Sequence, residues 1–489
     1  MNKSTLILML AVVLYSCTSR DHVSRPNVIF ILADDLGYGD MSCYGATHFE
    51  TPACDRLAQE GMRFTDAHSP SAVCTPSRYG LLTGRYSWRS WLKNWVLFPQ
   101  HPLLIDTSRL TMGKLFQQAG YVSGCVGKWH LGWGAELNPD YSGEAKPGPL
   151  EVGFDSFYGV PFSHNSPKPL QVYTRDRHIV NLKEGLRYDS PEAMKSTVRS
   201  LENTATELSK EAVAFIEQNK DKPFFLYYPT TNIHFPLTPH NRFKGKTKSG
   251  VYGEFVAEFD WAVSEVLDAL DRNGLTENTI IVVTSDNGAR PDESLNGHPC
   301  NGPWRGMKRY IYEGGHRIPL IVRWPGKIPE ASVSNETVCL TDFFKTFATI
   351  LEQPVPENEG VDSYDLTKLL LGQHTKQPIR EATVHHSVTG QFAIRKGDWK
   401  LIEGSASGDY PKGFDYGKSG TTNPKKDPST GKWVDLDFFD LEPDETFQLY
   451  NLKKDPKEEV NLAVSYPNKV MELKKLLDHY RASGRSTPK

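Results

Sequence analysis

Over the first two thirds of the chain the apolar positions alternate between two spacings. Val28-Ile29-Phe30-Ile31-Leu32 is an unbroken apolar run, the pattern of a strand buried on both faces of a parallel sheet. Similar runs at 121–126, 223–228 and 279–284 predict further strands. Between them the apolar residues recur every three or four positions, which predicts helices at 111–119, 197–218 and 254–272. The last carries Phe255, Phe259, Val263, Val266 and Leu270 on one stripe and stops before Gly274. Thr51-Pro52 opens a shorter helix that Gly61 closes. Strand and helix alternating over about 330 residues specify a three-layer α/β sandwich.

After Leu371 the character changes. Residues 392–401 read as a hairpin, 405–432 as a Gly-, Lys-, Ser- and Pro-rich surface loop, and 467–483 as a terminal amphipathic helix. The expected division is an α/β domain over 24–375 and a smaller α+β subdomain over 376–489. At the start, Lys3 precedes an apolar stretch over 5–14, followed by Ser16-Cys17. Residues 1–16 read as an export signal. Cys17 is then either a lipidated first residue, as in a bacterial lipobox, or an incidental cysteine after a plain signal.

Composition narrows the classes. The 489 residues carry 56 Lys+Arg against 59 Asp+Glu, a formal charge of −3, and 38% are hydrophobic. This is ordinary globular chemistry, and the near-neutral balance gives no basis for nucleic-acid binding. The seven cysteines form no zinc ribbon or CxxC pair.

Candidate chemistry starts at Asp34-Asp35, directly after the first strand. Ser285-Asp286-Asn287-Gly288 repeats the arrangement at another strand end. Three carboxylates and an amide oxygen make a hard-oxygen site suited to Ca²⁺ or Mg²⁺. Either pair alone reads equally well as turn chemistry. The segment from Ser71 to Arg85 adds a different signal. Thr75-Pro76 resembles an N-cap followed by proline at the first helical position, which places Cys74 at the positive end of a helix. No acidic residue occurs from 67 to 105, while Arg78, Arg85, Arg89 and Lys93 are basic. A local positive field in a net-negative chain points to an anionic substrate.

Cys74-x-Pro76-x-Arg78 resembles the signature of the type I sulfatases, in which the cysteine is oxidised to formylglycine. Leu81-Leu82-Thr83-Gly84-Arg85, Gly127-Lys128-Trp129-His130-Leu131-Gly132, Thr284-Ser285-Asp286-Asn287-Gly288, Gly306-Met307-Lys308 and Glu313-Gly314-Gly315 match that family in order. The resemblance implies an alkaline-phosphatase-like α/β/α sandwich and hydrolysis of a sulfate ester. It implies Ca²⁺ held by Asp34, Asp35, Asp286 and Asn287, with the formylglycine at position 74 completing the shell. Arg78 and His130 would hold and activate the hydrated aldehyde. Lys128, His234 and Lys308 would bind the sulfate, and the last two would neutralise the leaving oxygen. A separate maturation enzyme would be needed to convert Cys74.

The remaining histidines read more simply as structural. His298, in Asn296-Gly297-His298, falls between two matched segments and is a candidate for the substrate pocket. His164, in Phe162-Ser163-His164-Asn165, is another. Trp88, Trp91 and Trp95 would share one helical face, as a core stripe or a sugar-stacking platform. Residues 71–132 and 296–325 look similar to N-acetylgalactosamine-6-sulfatases and related bacterial glycan desulfatases. The expected substrate is therefore a sulfated saccharide, first a 6-O-sulfated N-acetylgalactosamine from chondroitin-type glycans. The expected location is the periplasm or surface of a bacterium, by way of a lipid anchor. Two rivals are a phosphatase or phosphodiesterase of the same superfamily and a catalytically silent glycan-binding lipoprotein. Asn287 standing where two-metal enzymes place a histidine argues against the first. Intact catalytic positions argue against the second.

Overall fold

The computed structural model describes residues 25–373, 377–406, 408–409, 422–438 and 446–488. The expected export signal and Cys17 lie outside them. Strands β1 (Asn27–Ala33), β2 (Met62–His68), β3 (Val122–Lys128), β4 (Ser156–Val160), β5 (Thr174–Arg175), β6 (His178–Ile179), β7 (Phe224–Pro229), β8 (Thr279–Ser285), β9 (Arg317–Arg323) and β10 (Ser332–Ser334) form one sheet. Their order is β10-β2-β9-β8-β1-β7-β3-β4-β5-β6. The central strands β8, β1, β7, β3 and β4 run parallel, and β9 is antiparallel to both β8 and β2.

β1 shows why the sheet lies between two layers. Val28, Phe30 and Leu32 enter one apolar core, and Ile29, Ile31 and Ala33 enter the other. Both faces of the strand are dry, so its sequence does not alternate. Helices α2 (Cys74–Thr83) and α3 (Met112–Gln118) supply Tyr79, Leu82, Met112 and Phe116 to the first core. Helices α1 (Pro52–Gln59), α5 (Thr204–Gln218) and α6 (Gly250–Arg272) supply Leu57, Phe215, Phe255 and Phe259 to the second. The stripe expected on α6 is buried in full. The helix predicted over 197–218 is broken. A separate helix α4 (Pro191–Thr197) ends at Val198, which is extended and bridges Val172. Arg199 then donates to the His164 carbonyl at 2.7 Å and to Thr204 Oγ1 at 2.6 Å, which holds the break open.

The C-terminal part forms a four-stranded antiparallel sheet of Thr383–His386, Phe392–Lys396, Trp399–Glu403 and Phe447–Asn451. The expected hairpin is there, turning at Gly397. Helix Pro467–Ala482 covers one face of this sheet with Val470, Leu473 and Leu477. The other face meets Ile311 and Tyr312 of the first domain through Ala393, Ile402 and Tyr450. The three tryptophans do not share a helix. Ser87–Arg89 is a single 3₁₀ turn, Trp88 packs on Tyr86 and Phe392, and Trp95 is buried with Val73 and Val388. All six cysteines among the described residues are unpaired.

Candidate active site

Four adjacent parallel strands, β8, β1, β7 and β3, end on the same side of the sheet. The carboxyl ends of such strands are where open α/β sheets build their sites. Leu32 pairs with Thr284 and Ala33 with Ser285, so Asp34-Asp35 and Asp286-Asn287 emerge side by side. The Asp286 amide donates to the Ala33 carbonyl at 3.1 Å, and the Asp34 amide to the Asn232 carbonyl at 2.7 Å. His234 follows β7, Lys128 ends β3, and His130 lies two residues on. Asp35 and His130 adopt left-handed backbone (φ 68° and 54°), an uncommon conformation for residues with a Cβ and one that clusters at functional sites.

The cations come from further elements. Arg78 on α2 reaches Asp286 Oδ2 with Nη2 at 2.7 Å and Nε at 3.0 Å, Asp34 Oδ1 at 3.4 Å, and the Lys128 carbonyl at 3.0 Å. Lys128 Nζ lies 2.8 Å from both oxygens of Asp34. Lys308 Nζ donates to Asp35 Oδ2 at 2.6 Å, and His234 Nε2 lies 3.9 Å from the same oxygen. Cys74 opens α2, with its Sγ 3.2 Å from His130 Nδ1. The other ring nitrogen of His130, Nε2, lies 3.1 Å from the Leu97 carbonyl. Thr75 is not the N-cap. Its hydroxyl donates to the His130 carbonyl at 3.0 Å and accepts from the Leu97 amide at 3.3 Å, and the helix starts two residues earlier than Thr75-Pro76 suggested, at Cys74. The cysteine still stands at the positive end.

Charge and burial compete at every group. Burial raises Asp35, but Lys308, His234 and Lys128 outweigh it and hold the carboxyl below the usual carboxylate range. Burial, with Asp34 and Asp35 adding, pushes Asp286 up to about 6 against the pull of Arg78. Burial opposes the charges on Arg78 and Lys308, yet their carboxylate partners hold both above their ordinary values. His130 and His234 go the other way. Burial first, then nearby cations, depresses both well below the ordinary imidazole value. Burial raises the Cys74 thiol, and Lys128 and Lys308 oppose the rise.

All nine polar positions that the sequence grouped therefore converge, together with Cys74. Two others do not. His164 is fully buried with Nε2 2.7 Å from Thr238 Oγ1, on a structural hydrogen bond rather than in a substrate pocket. His298 turns its Nε2 onto Asp40 Oδ1 at 2.8 Å with no side-chain exposure, so it lines no pocket either. Asp40 also accepts from Tyr252 Oη at 2.6 Å and from the Gly37 amide at 2.7 Å, which ties the Asp34-Asp35 loop to α6 and to the segment after β8. Sequence reading missed Asp40, whereas Ser163 lies in the 162–165 segment it offered to the substrate, and its Oγ lies 3.4 Å from His234 Nε2. Ser163 comes from a distant loop with no motif. Asp40 could have been noticed from its place six residues after Asp34.

A second buried group joins the two domains. His68 Nε2 is 2.8 Å from Asp66, and Arg395 grips Asp66 at 2.7 and 2.8 Å. Lys400 reaches Glu313 at 3.1 Å. His68, His316 and His385 bring ring nitrogens close enough to suggest a metal. The His316 and His385 rings are stacked, however, 3.7 Å apart and 10° from parallel. Their in-plane lone pairs cannot meet at one ion, and the cluster serves as a polar seam.

With this geometry established, comparison with known proteins is decisive. The sulfatase family model matches residues 26–352. The chain belongs to the sulfatase family. A second model, the C-terminal region of N-sulphoglucosamine sulphohydrolase, matches residues 304–419 of this sulfatase. An N-acetylgalactosamine-6-O-sulfatase of Bacteroides thetaiotaomicron is 36% identical, covering 93% of each chain. The N-acetylgalactosamine-6-sulfatase of Canis lupus familiaris is 34% identical over 76% of this chain and 72% of its own. A solved sulfatase structure from work on glycosaminoglycan metabolism by Bacteroides thetaiotaomicron is 35% identical. It superposes with a TM-score of 0.81 over 94% of this chain and 100% of that one. This sulfatase is accordingly a hydrolase of sulfate esters on an alkaline-phosphatase-like fold with a C-terminal sheet subdomain.

Proposed function

We propose that the chain removes the 6-O-sulfate from terminal N-acetylgalactosamine of chondroitin-type glycans, using a formylglycine made from Cys74 and a Ca²⁺ ion. The observation that carries this reading is the position of Cys74. It opens a buried helix, touches His130 and stands among Arg78, Lys128, Lys308 and three carboxylates, a setting for a nucleophile that must meet an anion. The relatives named for N-acetylgalactosamine 6-sulfate support the choice of sugar.

The donor set fits a calcium ion. Asn287 Nδ2 donates to Asp35 Oδ1 at 2.8 Å, while Asn287 Oδ1 is buried without a partner among the described residues. A buried acceptor left unpaired costs about 1–3 kcal/mol, so a ligand for it is expected. Together with Asp34, Asp35 and Asp286 it presents an all-oxygen set, which suits a hard cation. Bound there, Ca²⁺ supplies polarisation of the sulfate oxygens and favours an ionised nucleophile.

The thiol of Cys74 stands where the oxygens of the mature group would be. Converted and hydrated, residue 74 would supply two hydroxyls on one carbon, one for the sulfuryl group and a second through which the aldehyde could be restored. His130 is oriented to accept a proton from that position. Its Nε2–H is committed to the Leu97 carbonyl, so the Nδ1 lone pair faces residue 74. Arg78 keeps the nucleophile's side positive. Lys128, Lys308 and His234 would surround the spread charge of the ester in a largely buried site, where fixed cations act strongly. Lys308 and His234 converge on one oxygen of Asp35, on the side assigned here to the leaving alcohol. Conversion of Cys74 would need a maturation enzyme. Export with a lipid anchor at Cys17 would place the enzyme where polysaccharide fragments reach it.

Mass spectrometry of the tryptic peptide spanning residue 74 tests the chemistry. The aldehyde should be found in active protein, and Cys74→Ala should abolish turnover. Full activity with an unmodified thiol would end the proposal. Defined 4-O- and 6-O-sulfated N-acetylgalactosamines test the substrate, with preference for the 6-O-sulfate expected.

A further inference from the structure

Access to the site is one-sided. Arg78, Lys128 and Asp34 have no exposed side-chain surface, whereas His234 and Lys308 are 11% and 12% exposed. A substrate alcohol must therefore lie on the side of His234 and Lys308. The residues just outside these two are Phe235 and Arg290. His234 Nδ1 lies 2.6 Å from the Phe235 carbonyl, which fixes the imidazole against its neighbour. The Lys308 amide donates to the Ala289 carbonyl at 3.0 Å, which places Arg290 one residue from that anchor. The Arg290 guanidinium lies 5.5 Å from the centre of the Phe235 ring. Asp35, His234, Phe235, Arg290, Ala289 and Lys308 thus close a ring of contacts, and the Phe235–Arg290 pair forms its outer edge.

Neither residue has a structural reason to be there. Phe235 is 54% exposed, the most exposed aromatic among the described residues, although burying a phenylalanine gains about 1.5–3 kcal/mol. Arg290 is exposed and makes no hydrogen bond or ion pair with any described residue. Its acidic neighbour Asp292 is turned away, accepting from the Ser294 amide at 2.8 Å and hydroxyl at 2.6 Å. Glu293 is the remaining acid on this turn, exposed like Arg290 itself.

We propose that Phe235 and Arg290 form an outer subsite for an anionic saccharide. The Phe235 ring packs on a pyranose face, and Arg290 binds the carboxylate of the uronic acid next to the sulfated sugar. The flat ring offers an apolar surface at the height of the leaving alcohol. The cation over its edge adds a fixed positive charge where the next residue of the glycan begins. The inference rests on the sulfate-ester reading above and extends it to an acidic, extended substrate.

The test compares two disaccharides that differ in one group: 6-sulfated N-acetylgalactosamine linked to a uronic acid, and the same compound with its carboxyl reduced to the alcohol. Wild-type enzyme should show a KM about two- to fivefold lower for the acidic compound, the size expected of one exposed charged contact. Arg290→Ala should erase that ratio, and Arg290→Lys should restore part of it. Added salt should shrink the wild-type ratio and leave the Arg290→Ala ratio unmoved. Phe235→Ala should raise KM for both disaccharides. Equal KM values for the two compounds with wild-type enzyme, or a ratio that survives in Arg290→Ala, would overturn the subsite alone. Wild-type enzyme inactive on every sulfate ester would overturn the reading beneath it as well.

Discussion

At Asn287, one orphaned oxygen distinguishes a turn from a binding site. The amide nitrogen is spent on Asp35, and the buried oxygen points at nothing among the described residues. If a divalent ion takes that oxygen, adding Ca²⁺ at a hundredfold excess over its Kd should stabilise the fold by about 2.7 kcal/mol. Asn287→Ala should weaken binding about tenfold and so lose about 1.4 kcal/mol of that increment, measured by thermal unfolding with calcium and with a chelator. Equal Tm values in the two conditions would count against the ion. His298 carries a separate prediction. His298→Ala removes one of three donors from the buried Asp40 carboxyl, which burial already pushes up. The expected loss is about 1–3 kcal/mol by denaturant unfolding, partly recovered in His298→Gln, whose amide can donate to the same oxygen.

Among the elements, the strands were the most legible. The apolar run of β1 is buried on both faces, and the stripe on α6 lies wholly in one core. The break between α4 and α5 was not legible, because helical propensity there yields to a backbone bridge at Val198 and to the reach of Arg199. The end of β3 was legible as a motif but not as a packing problem. Gly127 has φ 134°, and a Cβ there would come within 1.8 Å of the Pro229 carbonyl on β7. The next residue is Lys128. Gly127→Ala should cost about 2–4 kcal/mol and lower kcat by displacing the lysine, measured by unfolding and kinetics on the same preparation. A variant of normal stability and activity would show that the strands part easily.

The whole molecule is held by a seam that no local pattern announces. His68 and His316 face His385 from the C-terminal sheet, while His386, next on the strand, turns to the sheet's other face against Phe392, and burial depresses all four below the ordinary imidazole value. Burial and Arg481 bring His386 down to about 3, and neither of its ring nitrogens has a partner among the described residues. The unfolded chain takes up a proton near pH 6.5, and the folded chain does so only near pH 3. Below pH 6.5 the unfolded state therefore binds more protons, and stability falls as the pH is lowered. From pH 7 to pH 5 His386 alone should cost about 2 kcal/mol. His386→Met should reduce the acid-induced loss by that amount, read from denaturant midpoints at the two pH values. An unchanged difference would mean that His386 takes up its proton without unfolding.

The alternation of strands and helices, the place of Cys74 at a helix start and the Asp34-Asp35 and Asp286-Asn287 pairs at strand ends were all readable from the chain alone. Each depends on neighbours in sequence: a run, a spacing, or a residue directly after a strand. The register of Ala33 beside Ser285, the tautomer of His130, the removal of His164 and His298 from the site, and the one-sided opening past His234 and Lys308 were decided by the fold. These depend on groups far apart in the chain, from 33 residues for His130 and Leu97 to 258 for His298 and Asp40, meeting at hydrogen-bond distance, and only packing selects such meetings.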